Sequence, residues 1–108
     1  MAAAFAMKRQ AEANGDQGYG AVLVRTGRII GRGPSRVVQD NNPDAHAERV
    51  AMWDAQKYLG RTDLSGAILY STSVPCALCQ DFAARYDVAR MIYGEGMRDG
   101  GAPRRLSL

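Results

Sequence analysis

Residues 45–48 read Ala45-His46-Ala47-Glu48, and residues 75–79 read Pro75-Cys76-Ala77-Leu78-Cys79. These two runs hold the single histidine and both cysteines of the 108-residue chain. Each follows a turn-rich stretch and opens a pattern with helical spacing. After His46, apolar residues recur at Ala47, Val50, Ala51, Ala55, Tyr58 and Leu59, and Gly60 stands where a left-handed C-cap would close the helix. A helix is therefore expected over 45–59, with Asp44 as its N-cap. Proline suits a first helical turn, so Pro75 is expected to open a second helix over 76–86.

Outward from these runs, residues 19–25 and 67–71 are short apolar segments of strand type, and 88–93 is a third. Residues 28–33 pair with 19–25 through a tight turn at Thr26-Gly27, giving a hairpin. The Ala-rich start, 2–13, reads as a helix with Phe5, Met7 and Ala11 on its apolar side, ended at Asn14-Gly15-Asp16. Residues 34–44 read as a loop, and 94–108 as mostly turn-like. Strands that alternate with helices imply crossovers onto a mixed sheet. The expected fold is one three-layer α/β/α domain spanning 1–108.

Composition agrees with this class. The chain is 46% hydrophobic and 23% charged, as in ordinary globular proteins, which excludes a disordered or fibrous chain. No apolar run approaches the roughly 20 residues that cross a bilayer, so no membrane partner is expected. The apolar start is short for a signal peptide, and Lys8 and Arg9 follow it, so a cytoplasmic location is expected. The net charge of +3 is modest for a nucleic-acid binder. Arg25, Arg28, Arg32 and Arg36 occur with no acid before Asp40. They read first as a solvated hairpin face, with phosphate contact as the alternative.

Two cysteines three apart on a helix present their sulfurs on one face. At a helix start, free N–H groups and the dipole favour the thiolates that zinc binds. His46 can add an imidazole from the neighbouring helix. Three protein ligands leave a fourth position open, which distinguishes a catalytic zinc site from a closed structural one. No further Cys or His exists to close it. Glu48, two residues past the histidine, is free to carry protons between water and a substrate. Taken alone, Cys-x-x-Cys also fits a redox pair; the combination with His46 and Glu48 favours one zinc per chain.

His-x-Glu with Pro-Cys-x-x-Cys resembles the signature of zinc nucleobase deaminases. From about Ala11 to Gly94 the chain is similar to the cytidine deaminase-like superfamily, in the branch of guanine, cytosine and tRNA adenosine deaminases. The matching segments are Tyr19-Gly20-Ala21-Val22-Leu23-Val24, Asn42 to Glu48, Leu69-Tyr70-Ser71-Thr72 and Ile92-Tyr93-Gly94. The resemblance implies that His46, Cys76 and Cys79 hold zinc and that Glu48 is the catalytic proton shuttle. It implies that the Ala47 N–H contacts the bound base, that the Cys76 N–H steadies a developing oxyanion, and that Tyr19 stacks on the ring. The chain departs from that pattern in three places. Ser35 stands eleven residues before His46, where the guanine and tRNA adenosine branches carry a base-binding Asn. Val74 stands where they usually carry Glu. The chain also ends about 29 residues past Cys79, where relatives continue.

The expected function is hydrolytic deamination of a small nucleobase or nucleoside, with Ser35 as a further substrate contact. The alternatives are a deaminase acting on tRNA or single-stranded DNA, with Arg104 and Arg105 among its phosphate contacts, and a non-catalytic zinc scaffold. The shortness past Cys79 leads to the expectation of a homodimer or larger homo-oligomer.

Overall fold

The computed structural model describes residues 1–106. In chain order the elements are α1 (Ala2–Ala13), β1 (Gly20–Arg25), β2 (Arg28–Pro34), α2 (Ala47–Leu59), β3 (Ile68–Ser71), α3 (Ala77–Arg85), β4 (Arg90–Tyr93) and β5 (Arg98–Gly101). The five strands form one sheet in the order β2-β1-β3-β4-β5. Only β3 and β4 run parallel, joined by the α3 crossover; the other neighbours are antiparallel. Both β2 and β3 are antiparallel to β1, so α2 links two like-directed strands that flank it. The mixed sheet in an α/β fold is the architecture the sequence predicts.

The β1–β2 hairpin turns at Thr26 and Gly27, both with positive φ (52° and 74°). That is the backbone a two-residue turn needs to match strand twist. Leu23 pairs with Gly31 and Val24 with Ile29, which leaves Ile30 as an extra residue, and this bulge delivers it to the core.

Helix packing rests on missing side chains. A Cβ on Gly33 would lie 2.1 Å from the Ala47 carbonyl oxygen, and one on Gly31 would lie 2.1 Å from that of Ala51. Alternate residues of β2 therefore present bare backbone to α2, and alanines on α2 meet it. Gly20 repeats the device on β1, where a Cβ would fall 2.2 Å from the Ala4 oxygen of α1. The remaining core fills the space between sheet and helices with Leu23, Leu69 and Met91 from strands, Met52 from α2 and Ala83 from α3. Trp53 of α2 meets Phe82 of α3 edge-on at 6.5 Å, which joins the two helices beside that core.

Several expected boundaries move. Helix α2 begins at Ala47, and its N-cap is His46 rather than Asp44. Asp44 instead pairs with Arg49 at 3.3 Å, while its own N–H donates to Asn42. Its carboxylate thus meets a side chain of the first turn and caps no backbone N–H of the helix. Pro75 lies one residue ahead of the α3 N-cap, Cys76, and so precedes the helix instead of opening it. The buried side of α1 is Ala4 and Ala11, with Phe5 and Met7 only half-buried, because close approach to Gly20 leaves room for alanine alone. Tyr58 of α2 is exposed. Strand β5 lies where turns were expected; it pairs with β4, and Arg90 on that neighbour binds Asp99. Among the described residues no helix is long and apolar enough to cross a membrane.

The glycine contacts give a direct stability test. Gly33→Ala should destabilise by about 1–3 kcal/mol, the usual cost of overpacking, in chemical denaturation. Gly96→Ala, where an added Cβ meets nothing within 4 Å, should stay close to the parent.

Candidate active site

His46 and Cys76 occupy equivalent places: each is the N-cap of its helix, with extended backbone (ψ of 150° and 166°). Neither the Ala47 nor the Cys76 N–H donates to another backbone group among the described residues. The Cys79 N–H turns back to Cys76 Sγ at 3.4 Å, so a sulfur here plays the part of a capping oxygen. The positive ends of α2 and α3 thus converge where the sequence concentrates its anionic and soft ligands.

The three ligand atoms face one another. His46 Nδ1 lies 3.6 Å from Cys76 Sγ and 3.7 Å from Cys79 Sγ. A tetrahedral zinc with bonds of about 2.3 Å to sulfur and 2.0 Å to nitrogen separates such atoms by about 3.6 Å. The two nitrogen–sulfur separations therefore match zinc coordination, and the soft thiolate–imidazole chemistry suits that ion. Cys79 is fully buried and lies behind the pair that reaches the cavity, whereas Cys76 and His46 line it.

The cavity, of about 450 Å³, has the size of a small-molecule pocket. Its floor is His46, Ala47, Glu48 and Cys76. Tyr19 and Val74, both largely exposed at 47% and 61%, lie on its lining, with Ser35 set deep at 1%. The cavity lining thus includes His46, Ala47, Glu48, Cys76, Tyr19 and Ser35, with Cys79 not on it; the arginines weighed as phosphate contacts are not on it either. It also adds Gln17 and Ser73. These two were not foreseen because their types carry no signal. Their position does, since Ser73 follows the C-terminal end of β3, the edge where α/β sheets bind ligands.

Glu48 is 5% exposed. Burial pushes its carboxyl up to about 7, against the smaller downward pull of its own backbone N–H and of Arg49. Burial also pushes the Cys79 thiol up, helped by the charge of Glu48. A divalent cation between the ligands reverses that preference, because coordination deprotonates a thiol. Arg49 is itself 8% exposed, and its Nε makes no hydrogen bond among the described residues.

The loop leading into His46 is held by a single carboxylate. Asp16 accepts from the backbone N–H groups of Gln17, Val38 and Gln39 at 2.7–3.0 Å and from the Ser35 hydroxyl at 3.0 Å. Of the arginine series, Arg36 is bound to Asp40 at 3.0 Å and Arg25 reaches the Ser65 carbonyl, while the exposed side chains of Arg28 and Arg32 make no ion pair among the described residues. Arg105 is bound to Asp81 at 2.8 Å.

Two measurements follow from this geometry. Purified protein should carry about one zinc per chain by elemental analysis, and Cys79→Ala should lose it. Burial raises the Asp16 carboxyl, but its four hydrogen bonds outweigh that and hold it below its ordinary value of 3.8. A carboxyl depressed in the folded state stabilises above its unfolded pKa and loses that contribution as pH falls through the folded one. The melting-temperature gap between the parent and Asp16→Asn should accordingly be full at pH 7 and close as pH drops below 3.8.

Comparison with known proteins places the chain. Residues 1–95 match the family model described as the cytidine and deoxycytidylate deaminase zinc-binding region. The chain is 34% identical over 89 residues to a tRNA-specific adenosine deaminase of Buchnera aphidicola, covering 82% of this chain and 59% of that protein. It is 44% identical over 61 residues to the guanine deaminase of Bacillus subtilis, covering 56% of this chain and 39% of that protein. It thus spans well under two-thirds of either relative. Among solved structures, a deaminase of A-to-I editing at the wobble position of transfer RNA superposes with a TM-score of 0.83 at 36% identity, covering 87% of this chain and 68% of the other. The Bacillus subtilis guanine deaminase superposes at 0.80 and 33%, covering 84% and 59%. A family model matching most of the chain, carried by a mixed five-stranded sheet and a His-Cys-Cys zinc centre, shows that this chain belongs to the cytidine and deoxycytidylate deaminase family.

Proposed function

We propose that the chain is a zinc-dependent hydrolytic deaminase acting on an amino-substituted nucleobase or nucleoside small enough to enter the cavity beside Glu48. The observation that carries this reading is a buried carboxyl, Glu48, lining a small-molecule cavity beside two of the metal ligands. One zinc, held by His46, Cys76 and Cys79, supplies Lewis acidity that makes water nucleophilic at neutral pH.

Glu48 carries the proton traffic. The reaction joins the oxygen of water to the amino-bearing ring carbon, breaks the carbon–nitrogen bond and releases ammonia. Glu48 takes one proton from the water and delivers it to the ring nitrogen, then takes the second from the oxygen now bonded to the ring carbon and delivers it to the departing nitrogen, which leaves as ammonia. Burial raises the Glu48 carboxyl above its ordinary range, which suits a group that must accept and then donate. The Ala47 N–H, at the start of α2, is free to hold an acceptor on the base. The Cys76 N–H is free to face the oxygen as negative charge develops there. Tyr19, on the cavity lining, offers a ring for stacking.

A second reading has support in the relatives: the transfer-RNA-acting deaminases cover most of this chain. A nucleic-acid substrate would require phosphate contacts; Arg36 and Arg105 hold acidic partners, while Arg28, Arg32 and Arg104 make no ion pair among the described residues. The small-substrate reading is preferred on the size of the cavity beside Glu48. Assembly into a homodimer in the cytoplasm accompanies it as part of the same proposal.

The test is ammonia release from a panel of free bases, nucleosides and short RNA and DNA oligonucleotides. Glu48→Gln should keep its zinc and its fold while turnover falls by about 10²–10⁴-fold, the usual contribution of a general acid–base group. Release only from oligonucleotides, with affinity collapsing as salt rises, would transfer the assignment to the second reading. Unchanged turnover in Glu48→Gln would remove Glu48 from the chemistry.

A further inference from the structure

Ser35 is the least exposed polar group on the cavity wall, at 1%, and its hydroxyl lies 3.0 Å from Asp16 Oδ1. The direction of that hydrogen bond is fixed by the surroundings. Asp16 Oδ1 also accepts from the Gln17 N–H, and Oδ2 accepts from the Val38 and Gln39 N–H groups. A carboxylate surrounded by four donors, and held ionised by them, can only accept. Ser35 must therefore donate. A serine has one O–H and two lone pairs. With the proton committed to Asp16, Ser35 has only lone pairs left for the cavity, and its Oγ has no second partner among the described residues.

We infer that Asp16 and Ser35 together determine substrate class: they make this part of the wall an obligate hydrogen-bond acceptor, which selects amino-heterocycles whose ring edge presents an N–H. The inference rests on the cavity being the deaminase site of the preceding section. A ring nitrogen bearing a lone pair would set lone pair against lone pair at Ser35 and leave a buried acceptor unpaired, which is how binding sites reject near-isosteres. Asp16 acts here as a positioning residue, outside the cavity. The same carboxylate that pins residues 38 and 39 also sets the polarity of the wall, so the turn ahead of His46 and the donor–acceptor code of the pocket share one anchor.

The experiment measures binding by calorimetry, and ammonia release in parallel, for two pairs of probes on the zinc-loaded protein. Guanine and 2-aminopurine both carry a 2-amino group, but guanine has N1–H where 2-aminopurine has a lone pair. Cytosine and 4-aminopyrimidine differ in the same sense at N1. The affinity ratio within each pair is compared between the parent, Ser35→Ala and Asp16→Ala, so that differences elsewhere in the probes cancel. In at least one pair the parent should prefer the N–H member by roughly tenfold or more, and Ser35→Ala should abolish that preference. Asp16→Ala, which returns the Ser35 proton to the cavity, should bring the ratio towards unity with Ser35 still present, an effect that mere loosening of the loop would not produce. Zinc content and circular dichroism establish that each variant folds. Ratios unchanged in Ser35→Ala, or no binding of any probe to the parent, would overturn the inference. Ratios that shift as expected without ammonia release from any probe would uphold the acceptor wall and count against the deaminase reading alone.

Discussion

The contact between bare strand backbone and an alanine-faced helix governs this molecule. Gly33 and Gly31 let α2 lie against β2 at a distance no side chain would allow, and the atom Gly33 would strike is the carbonyl oxygen of Ala47. Ala47 is the first residue of α2, and His46 is the cap just before it. The tightest packing in the fold therefore registers the end of the helix that carries one metal ligand and the buried carboxyl. The opposite side of the site is set by hydrogen bonds: Thr72 exchanges bonds with Gly20, which ties the start of the β3–α3 loop to the sheet just ahead of Cys76.

Two helix starts meeting at one point create an electrostatic problem as well as a solution. Helix dipoles favour anions at these ends. Burial acts the other way, raising both the Glu48 carboxyl and the Cys79 thiol. A cation is needed to balance the thiolates, and the raised carboxyl is the product of the same dry surroundings. The feature that makes Glu48 costly to bury is the feature that suits it to proton transfer.

Much of this was legible in the sequence because the histidine and both cysteines of the chain all fall at this centre, with Glu48 two residues from the histidine. One histidine, two cysteines and a glutamate fixed the centre, and Gly60, with its left-handed backbone at 69°, ended α2 where expected. The hairpin at Thr26-Gly27 was legible for the same stereochemical reason. Cap chemistry was not: Asp44 looked like a helix cap, but His46 holds that position and its ring faces sulfur. Strand β5 reads Arg-Asp-Gly-Gly, with no apolar alternation and no β-branched residue to signal a strand; it forms by hairpin pairing with β4 across residues 94–97. The Asp16 clamp was invisible for another reason. Its partners, Ser35, Val38 and Gln39, lie some twenty residues away, and only folding brings them to one carboxylate.

The central claim is that His46, Cys76 and Cys79 form an open three-ligand zinc site. X-ray absorption at the zinc edge reads this most directly. The account predicts two sulfur scatterers at about 2.3 Å and one imidazole nitrogen at about 2.0 Å, with a light atom completing four-coordination. Four sulfurs, or a zinc shell without sulfur, would contradict it.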